Sequence, residues 1–142
     1  MKKLNRKGFT LIELLAIIVI LAIIMVVTIP TVLSSMGNAR QSTFDSSANT
    51  VADWIEKEYT LAQLNQADAA FTGVCGDTGA TCKGADISIT TILKDAGVKP
   101  GNYDTATVNI KDSGRACVIL KASTSGDFKD VATKTAKSVG CD

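Results

Sequence analysis

Glu13 is an acidic residue within an otherwise apolar stretch near the start of the chain. The stretch covers residues 9–29, and its other polar residues are Thr10 and Thr28. A carboxylate in lipid costs about 2.5–3.5 kcal/mol at the centre of a span and less near its ends. It is tolerated either by reaching back to the headgroups or by pairing with a cation. From the residues alone, both interpretations of Glu13 are open.

Cysteines are the second group with possible chemistry. There are four of them: Cys75, Cys82, Cys117 and Cys141. An even number in a small domain beyond a membrane segment predicts two disulfides. The alternative is a tetrathiolate zinc site, which favours pairs two to four residues apart. Because six residues lie within the first pair and 23 within the second, the spacing favours disulfides.

No catalytic centre, metal site or cofactor is predicted. The sequence has no histidine, the commonest general base and metal ligand. Asp77 and Asp86 lie in or near a glycine-rich segment, but an EF-hand loop needs more acids and a terminal glutamate. Asp53 and Glu56 are interpreted as solvated residues on an exposed helix face. A membrane-tethered enzyme is therefore the weakest of the function classes.

The basic residues are concentrated at the start of the chain. Four of them precede Phe9: Lys2, Lys3, Arg6 and Lys7. The remainder has 11 basic and 14 acidic residues, and this acidic balance argues against a nucleic-acid-binding domain. A basic cluster before an apolar span stays on the cytoplasmic side. The residues after Pro30 are therefore predicted to lie outside the membrane.

The apolar stretch has the length of a membrane span. As a helix its 21 residues would cover roughly 31 Å, which matches a bilayer core. A secretory signal has a shorter apolar core of about 7–15 residues. Pro30 falls inside the helical pattern, so a kink is predicted there, with the Thr28 hydroxyl bonding the freed carbonyl groups.

The sequence KGFTLIELL, residues 7–15, resembles the prepilin signal of type IV pilins and pseudopilins. In that family a basic leader ends at glycine, here Gly8. A membrane peptidase cuts after this glycine and methylates the new N-terminal residue, here Phe9. The acid at the fifth mature position is Glu13, which in the family pairs with the N-terminal amine of a neighbouring subunit. Family members similarly carry a proline at the position of Pro30.

The resemblance implies a domain organisation and a function. The leader is residues 1–8, the transmembrane and filament-core helix 9–29, the amphipathic helix 30–64 and the globular head 65–142. The implied function is a non-enzymatic, structural subunit of a type IV pilus that supports adhesion, motility or biofilm formation. The phrases ELLAIIVILAII and NARQSTFDSSA are most similar to pilins of Gram-positive bacteria such as clostridia.

The resemblance also implies partners and a location. The precursor lies in the cytoplasmic membrane, where it meets the prepilin peptidase and the pilus assembly machinery. The mature chain then forms a helical homo-oligomer of many copies, an extracellular surface filament. The alternative is a pseudopilin of a type II secretion or competence apparatus. No nucleic-acid partner is predicted for the isolated subunit.

The predicted fold class is α+β, with a long N-terminal helical spine packed on a small antiparallel sheet. An apolar stripe recurs at helical spacing: Phe44, Ala48, Val51, Ile55, Tyr59 and Ala62. The helix is predicted to break between Leu64 and Gly73. A loop stapled by a Cys75–Cys82 bridge follows over residues 73–84, and a short helix is predicted within residues 86–97.

Strands are predicted for the last third of the chain. The sequences TATVNI (105–110) and RACVILKA (115–122) have the composition of strands, and KDSG between them is typical of a hairpin turn. The tail fits either a helix or a strand. If it forms a hairpin with residues 115–122 centred near Phe128, Cys117 lies almost opposite Cys141, within the reach of a disulfide. We therefore predict a third strand there.

Overall fold

The computed structural model describes residues 8–142. The predicted basic leader cluster at positions 2, 3, 6 and 7 lies outside the described residues. The chain divides into two compact units, Met1–Met36 and Gly37–Asp142. We refer to residues 8–36 as the N-terminal segment and to residues 37–142 as the head unit. The long helix α1, Leu11–Ala62, contributes residues to both units.

The N-terminal segment is apolar on every side of its helix. Large side chains from Phe9 to Met36 are between about half and nine-tenths exposed. Leucine, isoleucine and alanine favour a helix here, and a helix that is hydrophobic all round belongs in lipid or inside a larger assembly. The helix runs through Pro30 without a break. The size of the bend at this proline stays a prediction.

In the head unit, α1 buries a narrow stripe that forms one wall of the core. The buried members of the predicted stripe are Phe44, Ala48, Val51, Ile55 and Ala62. Tyr59 is only partly buried and packs at the edge of the core. The centroid of the Phe44 ring lies 6.2 Å from the centroid of the Tyr103 ring and 5.2 Å from that of the Phe128 ring. The predicted stripe is thus confirmed, with Tyr59 at its margin.

The helix ends at a left-handed residue and a second helix follows. Asn65 has φ 54°; its N–H bonds the Ala62 carbonyl, and the N–H of Gln66 bonds the Leu61 carbonyl, as in a Schellman cap. Helix α2, Ala69–Cys75, begins after Asp68, whose Oδ1 accepts the Ala70 N–H at 2.7 Å. The prediction of loop throughout residues 73–84 was therefore wrong at its start.

The predicted short helix within residues 86–97 was also wrong. Strand β1, Ile87–Ser88, opens this segment, and consecutive turns follow it up to Gly97. The Ile89 N–H bonds the Ala106 carbonyl at 2.8 Å, so the segment is held by the sheet. Its first residues include β-branched isoleucines and threonines, whose side chains fit a pleated surface better than a helix. The turns still bury Ile92 and Leu93 in the core.

The sheet has four antiparallel strands in the order β1-β2-β3-β4. The strands after β1 are β2, Tyr103–Ile110; β3, Ala116–Ala122; and β4, Thr135–Lys137. Between β2 and β3 the Lys111 N–H bonds the Arg115 carbonyl at 2.9 Å, and Gly114 has φ 81°. These strands confirm the two predicted strands with their hairpin turn and the α+β fold class.

The C-terminal hairpin has the predicted centre. Leu120 pairs with Ala136, which places the midpoint at Phe128. In this register position 139, not Cys141, continues the ladder opposite Cys117. The chain instead turns at Ser138 into a 3₁₀ turn, Val139–Cys141, and this turn brings Cys141 back to Cys117. The tail is thus a short strand, as predicted.

Candidate functional site

The predicted cleavage position lies outside the helix. Gly8, Phe9 and Thr10 precede α1 and have no regular structure. A Cβ added at Gly8 would meet no atom within 4 Å, so nothing in the described chain itself demands a glycine there. Phe9 is 82% exposed. The predicted requirement for glycine at position 8 therefore concerns another molecule, such as the peptidase.

Glu13 takes part in a capping box with Thr10. The Thr10 N–H and the Thr10 hydroxyl both donate to Glu13 Oε2, each at 2.8 Å. The Glu13 N–H donates to Thr10 Oγ1 at 3.3 Å. Threonine at the N-cap and glutamate three residues later is the known pattern, in which each side chain satisfies the backbone N–H of the other. This role of Thr10 was not predicted, although T-x-x-E at residues 10–13 is a local sequence signal for it.

The capping box leaves one oxygen of Glu13 available. Both bonds from Thr10 go to Oε2, and among the described residues no donor bonds Oε1. The surrounding side chains are apolar and exposed, with Leu11 at 88% and Ile12 at 73%. In lipid or in a packed assembly, such surroundings give the free oxygen a low-dielectric environment, where a cation is strongly attracted.

The helix around Pro30 is supported by threonine hydroxyls. Proline has no N–H to bond the carbonyl four residues before it, that of Val26. Thr28 Oγ1 donates instead to the Ile24 carbonyl at 2.9 Å, and Thr31 Oγ1 donates to the carbonyls of Val27 and Thr28. The prediction that Thr28 bonds the freed carbonyl groups was therefore wrong, because its hydroxyl bonds the Ile24 carbonyl, two residues before that of Val26.

Polar side chains of α1 in the head unit bind backbone groups that lie far away in sequence. Glu56 Oε1 accepts the Ala116 N–H at 2.9 Å, at the start of β3. Glu58, which is 4% exposed, accepts the Asp68 N–H at 2.7 Å. Asn49 accepts the Val139 N–H at 3.0 Å. The interpretation of Glu56 as a solvated residue was wrong, because its partner is 60 residues away and no local pattern indicates it.

The cysteines form the two predicted disulfides, Cys75–Cys82 and Cys117–Cys141. All four are used in these bridges, which excludes the zinc alternative for these thiols. Asp86 Oδ1 accepts a hydrogen bond from Asn109 Nδ2 at 3.1 Å. Over residues 8–142, no group of three or more histidine, cysteine, aspartate or glutamate residues could hold a metal ion.

The head unit has four ion pairs, and three of them join exposed side chains. Lys99 Nζ lies 3.3 Å from Asp127 Oδ2, and Lys83 Nζ lies 3.2 Å from Asp112 Oδ1. The hydrogen bond from Lys99 is the main cause that lowers the pKa of Asp127. Burial raises the pKa of Tyr103, against the opposing effect of a hydrogen bond to Ser47.

Within residues 8–142, one helix has the length and hydropathy to cross a membrane. It is α1, whose most apolar 18-residue window has a mean hydropathy of 3.2 and no buried residue. A family model described as a prokaryotic N-terminal methylation motif matches residues 3–29. This motif is the prepilin signal of type IV pilins and pseudopilins, and the match confirms the resemblance found in residues 7–15. Neither the curated proteins nor the solved structures gave a match.

Proposed function

We propose that this chain, which carries the N-terminal methylation motif of type IV pilins and pseudopilins, is a structural subunit of a type IV pilus. The precursor is held in the cytoplasmic membrane by its apolar helix. The prepilin peptidase cleaves it after Gly8 and methylates Phe9. The assembly machinery then stacks many copies through their N-terminal segments into an extracellular filament that serves adhesion, motility or biofilm formation.

The observation that supports assembly is the distribution of exposed apolar surface. Nearly all exposed large apolar side chains lie between Phe9 and Met36, and only Leu64 and Val139 fall elsewhere among the described residues. Burying one such side chain contributes about 1.5–3 kcal/mol. A chain with this surface requires lipid around it before assembly and other apolar helices around it afterwards.

Glu13 gives the assembly its polar contact. Cleavage after Gly8 creates a positive amine at Phe9, close to the first turn of α1, which contains Glu13. The amine of one subunit pairs with the Glu13 carboxylate of a neighbour. Away from water such a pair is strongly attractive, and either member left alone is costly. The pair therefore favours addition of a subunit and fixes its axial position.

The second candidate is a pseudopilin of a type II secretion or competence apparatus, which forms a short rod. It stands because the matched motif is shared by pilins and pseudopilins. The two candidates differ in subunit abundance and filament length. Long filaments on cells, made mainly of this chain, support the pilus, whereas a scarce chain confined to short rods supports the pseudopilus.

The test is mass spectrometry of filaments sheared from cells. The expected result is a chain that begins at N-methylated Phe9 and is abundant in the sheared fraction. A matched control is the same fraction from cells that lack the prepilin peptidase, where the chain is expected to keep residues 1–8 and remain in the membrane. Sheared filaments that contain none of this chain would rule out the proposed pilus subunit.

A further inference from the structure

We propose that the edge of β3 at residues 116–118 is a latent pairing site for a second copy of this chain, and that the C-terminal turn, residues 138–141, keeps it closed. The ladder between β3 and β4 ends at the pair formed by Ile119 and Lys137. Beyond this pair, side chains and a turn take the place of a neighbouring strand. The geometry of the edge is independent of the proposed pilus, and only the reason for closing it rests on the proposed function.

The N–H and C=O groups of Ala116 and Val118 at this edge are all bonded to residues outside β4. The Ser138 hydroxyl accepts the Val118 N–H and donates to the Ala116 carbonyl, each at 2.9 Å. The Ser138 N–H donates to the Val118 carbonyl at 2.9 Å. From α1, Glu56 Oε1 accepts the Ala116 N–H at 2.9 Å. Two side chains and one backbone N–H therefore complete this part of the ladder in place of a strand.

The C-terminal turn is held on the edge by a disulfide and by close packing. Cys141 is bridged to Cys117. Gly140 lies so close to the Ala116 carbonyl that an added Cβ would collide with it. A residue with any side chain at position 140 would lift the turn from β3, so this glycine is required by the close approach of two backbone segments.

A second copy of β3 fits this edge because the edge is self-complementary. Open strand edges pair with other strands. A two-fold axis at Cys117 would place Ala116 of each copy opposite Val118 of the other, so that the edge groups of both residues would find backbone partners. The composition of β3 favours such pairing, because six of its seven residues are apolar and it contains neither proline nor glycine.

The proposed pilus gives a reason to keep this edge closed. Its precursors share one membrane and its subunits lie side by side, and both settings raise the effective concentration of the heads. An open edge would then join heads through β3 instead of through their N-terminal segments. The C-terminal turn covers the edge within the single chain, before another copy is near.

Cys117 provides a direct test, because edge pairing would place the Cys117 side chains of two copies opposite each other. Cys141→Ala removes the bridge, frees the turn and leaves one unpaired thiol in β3. Membranes from cells that make this full-length variant are treated with copper phenanthroline and dioxygen, which remove two electrons and two protons when two thiols form a disulfide. The expected result is a dimer linked through Cys117 on a non-reducing gel.

The matched control is Cys117→Ala, which breaks the same bridge but leaves its single thiol on the released turn, at Cys141. Cys117 is 8% exposed and Cys141 is more exposed, so random collisions would link Cys141 at least as well as Cys117. Edge pairing predicts at least about tenfold more dimer in Cys141→Ala than in Cys117→Ala. Equal amounts of dimer in the two variants, or no dimer in Cys141→Ala, would overturn the proposal.

A second variant keeps both bridges and tests the closure itself. Ser138→Ala leaves the Val118 N–H and the Ala116 carbonyl without their partner, so hydrogen exchange over residues 116–118 of the purified full-length chain should rise roughly five- to hundredfold. Ser123→Ala is the control, because Ser123 is also buried but its hydroxyl contacts only Ser125. Wild-type exchange in Ser138→Ala would overturn the role of the turn.

These measurements need no filament, so the pairing site and the proposed pilus can fail separately. Wild-type filaments that contain this chain, together with no Cys117 dimer in Cys141→Ala, would reject the pairing site alone. Sheared filaments without this chain would reject the proposed pilus, while a Cys117 dimer and faster exchange in Ser138→Ala would still support the pairing site.

Discussion

The N-terminal segment and the head unit differ in where their apolar side chains lie and in whether their polar groups find partners within the chain. In the head unit most large apolar residues are buried, and long-range bonds such as Glu56 to Ala116 complete the backbone pairing. In the N-terminal segment the apolar residues face outward, and one oxygen of Glu13 lacks a donor among the described residues. The head unit is therefore complete as a single chain, whereas the N-terminal segment requires lipid or other copies of itself.

The two regions also differ in whether covalent bridges hold them together. Covalent bridges occur only in the head unit among the described residues, at Cys75–Cys82 and Cys117–Cys141. A disulfide contributes to the stability of the head unit without a partner chain. In the proposed pilus, the N-terminal segment instead relies on reversible contacts, because each subunit would have to leave the membrane before it joins a filament.

The largest effect is expected at the scissile position. Gly8→Val should block maturation, because the peptidase must approach the backbone closely at a residue without a side chain. A Cβ added at this position would meet no atom of the described chain within 4 Å, so the precursor should fold and insert normally. An immunoblot should show only the longer, uncleaved form in the membrane. Mature protein of normal length in this variant would contradict the cleavage assignment.

The next largest effect is expected for Glu13→Gln. Insertion and cleavage should proceed, because a neutral amide costs less in lipid than a carboxylate and the glutamine can still complete the capping box with Thr10. Assembly should fail, since removing one member of a buried ion pair costs about 3–5 kcal/mol. This corresponds to a loss of roughly two to three and a half decades in the amount of polymer.

The measurement for Glu13→Gln is filament yield beside an immunoblot for processed protein. Processed subunit with few filaments supports the pairing with a neighbour's amine. Wild-type filament numbers would instead mean that this glutamate only reaches back to the headgroups. Glu56→Gln is a matched control in the head unit, because its Oε1 accepts a neutral backbone N–H and an amide oxygen can accept the same bond.

The third effect concerns the disulfides of the head unit. In the chain-entropy model, closing loops with sequence separations of 24 and 7 residues stabilises the fold by about 3.5 and about 2.5 kcal/mol. Replacing Cys117 and Cys141 by alanine should therefore lower the free energy of unfolding more than replacing Cys75 and Cys82. Denaturant unfolding of purified residues 37–142 measures both. Four reactive thiols in the unreduced wild-type protein would contradict the bridges altogether.

The predictability of the two regions differs for a physical reason. In the N-terminal segment, the main predictions depend on contiguous residues: the length of the apolar run, the motif around Gly8 and the position of Glu13. Its capping box was equally readable, because Thr10 and Glu13 are three residues apart and the pattern is local. A segment whose surroundings are uniform lipid has few long-range contacts to anticipate.

The head unit was predictable only where the sequence has a clear strand pattern and a clear turn signal. Strands β2 and β3 and their turn follow from β-branched residues around Gly114. The segment that begins with β1 was misassigned because Ile87 pairs with Val108 in the sheet, a contact that overrides local helix signals. Similarly, the partner of Glu56 comes from the start of β3, and no sequence pattern encodes such a pairing.

The smallest effect is expected for an exposed ion pair of the head unit. Lys99 lowers the pKa of Asp127 below its usual value, with help from Asn102. A lowered pKa in the folded state means that the charged form stabilises the fold above about pH 4, and that this contribution is lost as the pH falls through the folded pKa. Asp127→Asn should therefore lower the melting temperature of residues 37–142 slightly at pH 7. At pH 2 the wild type should lose this advantage because its carboxylate is then protonated.

Thermal unfolding at both pH values, with Asp112→Asn as the control at the exposed Lys83 pair, measures the difference. An equal deficit of Asp127→Asn at both pH values would show that the charge of Asp127 contributes nothing to the stability of the head unit.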